Sequence, residues 1–337
     1  MKKSLLYIGN KLSKHNATVT SIETLGLLLE REGYVLIYAS SKKNKVLRLS
    51  EMIFRTIQHR KKVDYVLIDT YSTYNFWYAF IISQLCRFYR IKYIPKLHGG
   101  DLPSRLIKSP ILSKMIFKYA YMNIAPSEYL LEAFKNRGYA ELICIPNTVE
   151  IQNYTFTKRN SCAPNLLWVR SLHEIYNPEM ALSVLAEINK EFPTAKLCMV
   201  GPDKDNMKPN LKKIANHKNL NVEFAGKLSK NKWVKYSEQY DIFLNTTHFD
   251  NTPISVIEAM ALGLPVISTN VGGIPFLLKD RETALLVADN DIHAMAKSIK
   301  ELIINDELRN KLVANAHDLV QQFDWSLVKN KWLQVLS

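Results

Sequence analysis

The sequence predicts an α/β protein made of two consecutive domains, each an open, mostly parallel sheet flanked by helices. Three observations lead there. Short apolar runs alternate with amphipathic helical stretches along nearly the whole chain, and strand–helix alternation builds parallel strands with right-handed crossovers. The alternation occurs twice, before and after a polar, irregular stretch at about 151–164. The chain has 337 residues, more than one hydrophobic core comfortably holds and a fitting size for two ordinary domains. The domains are placed at 1–156 and 157–337.

In the first domain the pattern predicts a strand from Ser4 to Gly9, a helix from Thr20 to Glu32, and strands at Tyr34–Ala39, Asp64–Asp69 and Lys92–His98. Helical spacing fills 47–60, 75–90, 109–120 and 127–137, and short strands fit Met122–Ala125 and Leu142–Pro146. In the second domain Leu166–Val169 is a strand and a helix follows from Pro178 to Phe192. Strands are expected at Lys196–Gly201, Val222–Ala225, Asp241–Asn245, Val266–Ser268 and Ala284–Val287, with helices at 229–239, 254–262, 291–304 and 306–322. Two open α/β domains in succession place a ligand cleft between them, at the carboxyl ends of the strands.

Composition narrows the class. With 47% hydrophobic and 23% charged residues the chain reads as globular, and with 11 glycines and no internal period it is neither repetitive nor linker-rich. Cys86, Cys144, Cys162 and Cys198 form no CxxC pair and lie in or beside apolar runs, so free buried thiols are expected rather than a disulfide framework or metal cluster. The apolar run after Met1-Lys2-Lys3 is too short for a secretory signal, and the longest elsewhere, Asn75–Cys86, is about half a bilayer span. The expected location is therefore cytoplasmic. The formal charge of +14 is unevenly spread: residues 1–160 carry 25 Lys and Arg against 11 Asp and Glu, residues 161–337 carry 20 of each. One half thus faces an anionic partner, for which membrane lipid, a lipid diphosphate and nucleic acid all qualify.

The most informative segment runs from Asp241 to Leu278. It reads as a strand, an irregular loop, a short helix ending at Gly263, a second strand, and a Gly272-Gly273 turn before Pro275. The loop Asp250-Asn251-Thr252-Pro253-Ile254-Ser255 brings backbone N–H groups to a helix amino end, which favours a phosphate. Asp250 stands before that helix and Glu258 about one turn inside it. Carboxylates beside a phosphate suit sugar hydroxyls, so the pair fits a nucleotide sugar, Asp250 for the sugar and Glu258 for the ribose. Asp250 is also placed to cap the helix, and the two roles are compatible.

This segment resembles the donor site of GT-B glycosyltransferases of the retaining family 4 type. Their signature is an acidic residue, seven residues, then Glu and Ala-Met-Ala-x-Gly-x-Pro-Val; here it stands as Asp250, seven residues, and Glu258-Ala259-Met260-Ala261-Leu262-Gly263-Leu264-Pro265-Val266, followed by Gly272-Gly273-Ile274-Pro275. Asp replaces the commoner Glu at 250. The resemblance is dense over 241–278 and diffuse elsewhere. It implies two Rossmann-like domains facing the cleft, the first binding acceptor and the second donor, with a C-terminal helix packing back on the first. The implied reaction moves a glycosyl group, with retention, from a UDP- or GDP-linked sugar to a hydroxyl of a glycan or lipid-linked acceptor, in polysaccharide or lipopolysaccharide synthesis. It implies no metal or other cofactor.

Residue by residue, the resemblance implies that Arg170, at the end of Leu166–Val169, clamps the donor diphosphate. A lysine five or six residues on is usual, and here Tyr176 and Asn177 occupy that neighbourhood. Gly201, in Val200-Gly201-Pro202, would border the donor pocket. In the first domain His98-Gly99-Gly100-Asp101 closes a strand with a Gly-rich turn. His98 would donate to a sugar hydroxyl or the leaving phosphate, and Gly99, Gly100 and Asp101 would meet the acceptor, as would Asn10 after the first strand. Asp101 reads equally as a turn cap. Two basic amphipathic stretches, Lys42–Lys62 with Leu49, Met52, Ile53 and Ile57, and Arg105–Lys118, suit an anionic membrane at the inner face of the plasma membrane, or simply a core-facing helix with a solvated rim. The D-x-D strings at Asp203–Asp205 and Asp289–Asp291 read as solvated loops rather than metal sites. A dehydrogenase would need a G-x-G-x-x-G turn, which is absent, and no nucleic-acid recognition element is evident. A nucleotide-sugar-binding protein of other activity, epimerase-like or catalytically degenerate, is the alternative.

Overall fold

In a computed structural model, residues 3–12 and 20–337 are described. They fall into two compact units, Met1–Thr148 with Trp325–Ser337, and Val149–Asp324.

The first unit holds strands β1 (Ser4–Ile8), β2 (Val35–Ala39), β3 (Tyr65–Thr70), β4 (Lys92–Leu97), β5 (Asn123–Ala125) and β6 (Leu142–Cys144). They form one six-stranded sheet in the order β2-β1-β3-β4-β5-β6, every neighbour parallel. Between them run α1 (Ser21–Arg31), α2 (Lys45–His59), α3 (Asn75–Phe88), α4 (Leu102–Lys108), α5 (Pro110–Phe117) and α6 (Glu128–Lys135). Alternate residues of the central strands enter opposite layers, as a pleated strand requires. Leu6, Ile8, Val66 and Ile68 join one core with Phe76, Ile82 and Phe117. Leu5, Tyr7, Tyr65 and Leu67 join the other with Leu25 and Leu29.

The second unit repeats the plan. Strands β7 (Asn165–Val169), β8 (Lys196–Val200), β9 (Val222–Gly226), β10 (Ile242–Asn245), β11 (Val266–Thr269) and β12 (Leu285–Val287) lie in the order β12-β11-β10-β7-β8-β9, all parallel. The helices are α7 (Pro178–Ile188), α8 (Lys208–His217), α9 (Lys230–Ser237), α10 (Ile254–Ala261), α11 (Ile274–Leu277), α12 (Ile292–Ile304) and α13 (Asp306–Val320). The predicted α/β class with two parallel sheets is thus observed.

The chain then returns to the first unit. Helix α14 (Trp325–Val335) buries Trp325, Val328, Trp332 and Val335 among Leu5, Tyr7, Ile22 and Ile124. The Trp325 indole N–H and Lys329 both donate to Glu32, and Tyr65 donates to the Ser337 carbonyl. The returning C-terminal helix expected from the resemblance is present.

Three helices escape the sequence pattern. Helices α4 and α5 replace one expected helix over 109–120, because Ser109 (φ −138°, ψ 60°) breaks the turn and Pro110 restarts it. Helix α8 is mostly polar and buries only Leu211 and Ala215, too few to show a period. Helix α11 is four residues long. The irregular stretch 151–164 is no free tether: Arg159 donates to the carbonyls of Tyr240, Leu262, Gly263 and Ser237. All four cysteines are free, Cys86 and Cys198 buried as expected, Cys144 and Cys162 only half-buried.

Candidate functional site

In each sheet the strand order reverses once, and open parallel sheets bind ligands at the carboxyl ends of strands beside that reversal. In the second unit the reversal falls between β7 and β10. Arg170 follows β7 directly, and Asp250 lies in the loop after β10. Residues 80 positions apart therefore meet: Arg170 Nη2 forms an ion pair with Asp250 Oδ2. The other Asp250 oxygen accepts from the Asn251 N–H at 2.8 Å.

The glycine turn fixes this loop. Gly273 N–H donates to the Asp250 carbonyl at 2.8 Å, and a Cβ on Gly272 or Gly273 would overlap the carbonyl oxygen of Asp250 or Asn251. Gly272 also sits at φ 55°, a left-handed conformation that glycine adopts without penalty. Only glycine lets the turn press this closely on the loop. The cap of α10 is Pro253, not Asp250, and no side chain caps it. The capping reading of Asp250 is replaced by its pair with Arg170. In the first turn of α10 the Val256 and Ile257 amides donate to the Pro253 carbonyl, and the hydroxyl of Ser255 in that turn is buried with no partner. Asn251 and Thr252 are buried alongside it.

Arg170 is held on a second side by the Tyr176 ring, 4.9 Å from the guanidinium carbon. Tyr176 belongs to the segment where a lysine is usual, and the chain there is pinned: Thr246 Oγ1 donates to the Tyr176 and Asn177 carbonyls, and Thr247 Oγ1 to that of Ile175. Asn177, at φ 47°, caps α7 through Met180 N–H. The Arg170 Nε is buried without a partner, so the guanidinium keeps unspent donors besides the Nη2 that meets Asp250. Gly201, at the end of β8, packs its Cα against the Arg170 carbonyl and has φ 151°. Its place beside Arg170 is structural as far as its own atoms go.

Glu258 is 4% exposed. Its Oε1 accepts from the Tyr154 hydroxyl at 2.7 Å and forms an ion pair with Lys230. A solvated helix residue is thereby excluded. Burial pushes the Tyr154 hydroxyl up, keeping it a donor, and desolvation brings the Lys230 ammonium down to about 8, so it still carries its charge at neutral pH. Tyr154 and Lys230 went unseen in the sequence. They lie 104 and 28 positions from Glu258, and only the order β8-β9 beside β7-β10 brings the start of α9 to α10.

A second cluster stands at the reversal of the first sheet, between β1 and β3. His98, directly after β4, shares a hydrogen bond between Nε2 and Asp69 Oδ1 at 2.8 Å, and the Tyr7 hydroxyl donates to the same oxygen at 3.1 Å. Asp69 Oδ2 is buried with no partner. The Tyr71 ring stacks on His98 with centroids 4.6 Å apart. Burial, then the neighbouring Lys96, lowers the His98 imidazole below its ordinary value, so it is neutral at pH 7. A carboxylate only accepts, so Nε2 bears the proton and Nδ1 is left as an acceptor. In this tautomer the nitrogen of His98 left open is an acceptor, whereas the resemblance implies a donor.

Lys96, itself buried, donates to Ser21 Oγ at 2.7 Å and Asn147 Oδ1 at 3.2 Å, and desolvation brings it down to about 8. Asn10 is engaged rather than open: its side-chain oxygen accepts from Arg48 Nη1 at 2.8 Å and its carbonyl from Thr20 Oγ1 at 2.7 Å. Gly99, at φ 76°, is exposed with open space around it, Gly100 is buried, and Asp101 precedes α4 without capping it.

Among the described residues no group of three His, Cys, Asp or Glu side chains is placed to hold a metal ion. Of the D-x-D strings, Asp203 accepts from the Met207 and Lys208 amides, Asp289 from His248, and Asp291 caps α12. No described helix is long and apolar enough to cross a membrane.

Residues 156–319 match the family described as glycosyl transferases group 1. An uncharacterised glycosyltransferase of Methanocaldococcus jannaschii is 25% identical over 88% of this chain and 87% of its own. The phosphatidyl-myo-inositol mannosyltransferase of Mycobacterium leprae is 25% identical, covering 58% of this chain and 53% of that protein. The lipopolysaccharide core biosynthesis glycosyltransferase LpsE of Rhizobium meliloti is 26% identical over 45% of each chain; the present chain thus spans about half the length of these two. Among solved structures, Anabaena HepE in complex with UDP-glucose superposes with TM-score 0.80 at 15% identity and 99% coverage of both chains. Sucrose-phosphate synthase of Thermosynechococcus elongatus gives 0.81 at 18% identity, covering 99% of this chain and 98% of that one. The fold is that of GT-B glycosyltransferases, and the stretch similar to glycosyl transferases group 1, residues 156–319, carries Arg170, Lys230, Asp250 and Glu258.

Proposed function

We propose that the protein transfers a glycosyl group, with retention, from a UDP- or GDP-linked sugar to a hydroxyl of a glycan or lipid-linked acceptor. The pairing of Arg170 with Asp250 at the strand reversal of the second unit, ahead of the helix that carries the buried Glu258, supports this reading. Arg170, freed from Asp250, and the amino end of α10 offset the diphosphate; Asp250, freed in turn, accepts from sugar hydroxyls; Glu258 accepts from the ribose. The bond broken joins the anomeric carbon to the diphosphate, the bond formed joins it to the acceptor oxygen, and the acceptor proton passes to the leaving phosphate. The protein supplies positioning and charge stabilisation. In the first unit His98 Nδ1 accepts from a substrate hydroxyl, beside Gly99, Gly100 and Asp101.

Lipid-linked or surface-glycan substrates are favoured by the matched names, which include a phosphatidyl-myo-inositol mannosyltransferase and a lipopolysaccharide core enzyme. The surface of the first unit also supports contact with an anionic membrane at the cytoplasmic face: Val46, Leu47 and Phe54 of α2, Ile107 of α4 and Ile111 of α5 are exposed among lysines and arginines.

UDP or GDP should raise the melting temperature of the wild-type protein. In Glu258→Ala, which removes the ribose acceptor and leaves Tyr154 and Lys230 without it, affinity should fall at least about tenfold. Failure of both nucleotides to shift the wild type would overturn the reading.

A further inference from the structure

The first unit carries a second cavity, which the proposed reaction does not use. It measures about 280 Å³ and opens at the amino ends of β1, β3 and β4. Asp69 and His98 stand at the other end of the same strands: at about 3.3 Å per residue, Asp69 lies roughly 13 Å along β3 from Tyr65. Three separate segments bring cations to the cavity. They are Lys3 before β1, Arg60 after α2, and Arg90 and Lys92 at the start of β4. Among the described residues no carboxylate pairs with any of the four. Asp64, which also lines the cavity, is engaged with the Ser4 amide at 2.7 Å. The buried Tyr65 ring backs the site, with Lys3 Nζ 5.1 Å and Lys92 Nζ 5.6 Å from its centroid.

Arg90 stands there against the preference of its own backbone. Helix α3 ends in a Schellman turn, in which the Ile91 N–H donates to the Cys86 carbonyl and the Arg90 N–H to that of Arg87. The left-handed position of that turn falls to Arg90, at φ 56°. Glycine is the usual residue there, and a side chain is strained. The cavity thus gathers a strained arginine and three more cations that repel one another, and a bound anion relieves that repulsion. We propose that the cavity binds a phosphate group, carried by a soluble phosphate ester or by a lipid headgroup. The guanidiniums of Arg60 and Arg90 match phosphate oxygens in pairs, and the two ammoniums add charge from the Tyr65 side. Four cations against one engaged carboxylate suit a multiply charged anion better than a lone carboxylate.

The test is calorimetric titration of pyrophosphate into the wild type, Arg90→Gly and the double variant Arg60→Gln/Lys92→Gln, each with UDP in excess so that the second unit does not contribute. The wild type should bind. Arg90→Gly should weaken binding at least about tenfold, and the double variant about a hundredfold. The melting temperature of Arg90→Gly should equal or exceed that of the wild type, because glycine relieves the left-handed turn, whereas loss of a merely structural arginine would lower it. A wild type that does not bind, or binding undiminished in both variants, overturns the site. Sedimentation with phosphatidic acid and with phosphatidylcholine vesicles separates the two sources. Binding to phosphatidic acid that falls in the double variant identifies a lipid headgroup, and equal binding by the wild type and the double variant identifies a soluble phosphate ester.

Discussion

Asp69 is nearly fully buried, accepts from Tyr7 and His98 on one oxygen, and has no partner for the other. It sits against Gly9 at the strand reversal of the first unit, where no motif marks it. Its role follows from the proton it fixes on His98 Nε2. In Asp69→Asn the amide presents either an oxygen or an N–H to that nitrogen, and the tautomer is no longer imposed. The expected result is a fall of about 10- to 100-fold in kcat/KM with nucleotide affinity unchanged, since the proposed nucleotide site lies in the second unit. Wild-type activity should also persist as pH drops through the ordinary imidazole range and fail only below it, because His98 is neutral when active and its pKa is lowered. A variant with wild-type kcat/KM would remove Asp69 from the account. Arg170, Asp250 and Glu258 were legible in the sequence because their motif is local or sits at a strand end. Asp69, Tyr154 and Lys230 were not, since each acts on a residue 28 to 104 positions away.

Among elements, α14 shows how far packing outruns local signals. Its 11 residues offer little amphipathic contrast, yet Trp332 is 1% exposed against the face of the first sheet that carries Leu5 and Tyr7. Trp332→Ala removes one of the largest buried side chains of the molecule and should destabilise it by about 3–5 kcal/mol in urea unfolding. A loss under about 1 kcal/mol would mean that α14 is dispensable to the first unit. Strands were legible at nearly every position because β1, β3, β7, β8 and β10 are buried on both faces and read as apolar runs. The helices missed, α4, α8 and α11, are short or mostly polar, so their residues carry no period to read.

At the scale of the whole molecule, both sheets reverse strand order once, and charged groups stand near each reversal: the Arg170–Asp250 pair and the buried Glu258 in one, the buried Asp69, Lys96 and His98 in the other. Neither strand order nor the return of the C-terminus could be read from periodicity, which fixes what each segment is and not which segment it lies beside. The charge excess of residues 1–160 has its counterpart in the exposed basic and apolar residues of α2, α4 and α5, and fits an acceptor anchored in an anionic lipid surface. The most direct test of glycosyl transfer is release of nucleoside diphosphate by the purified protein, supplied with UDP- or GDP-sugars and lipid-linked acceptors. Acceptor-dependent release from one donor, with the donor's anomeric configuration kept in the product and turnover lost in Glu258→Ala, is the predicted result; release that needs no acceptor, or that persists undiminished in Glu258→Ala, would contradict it.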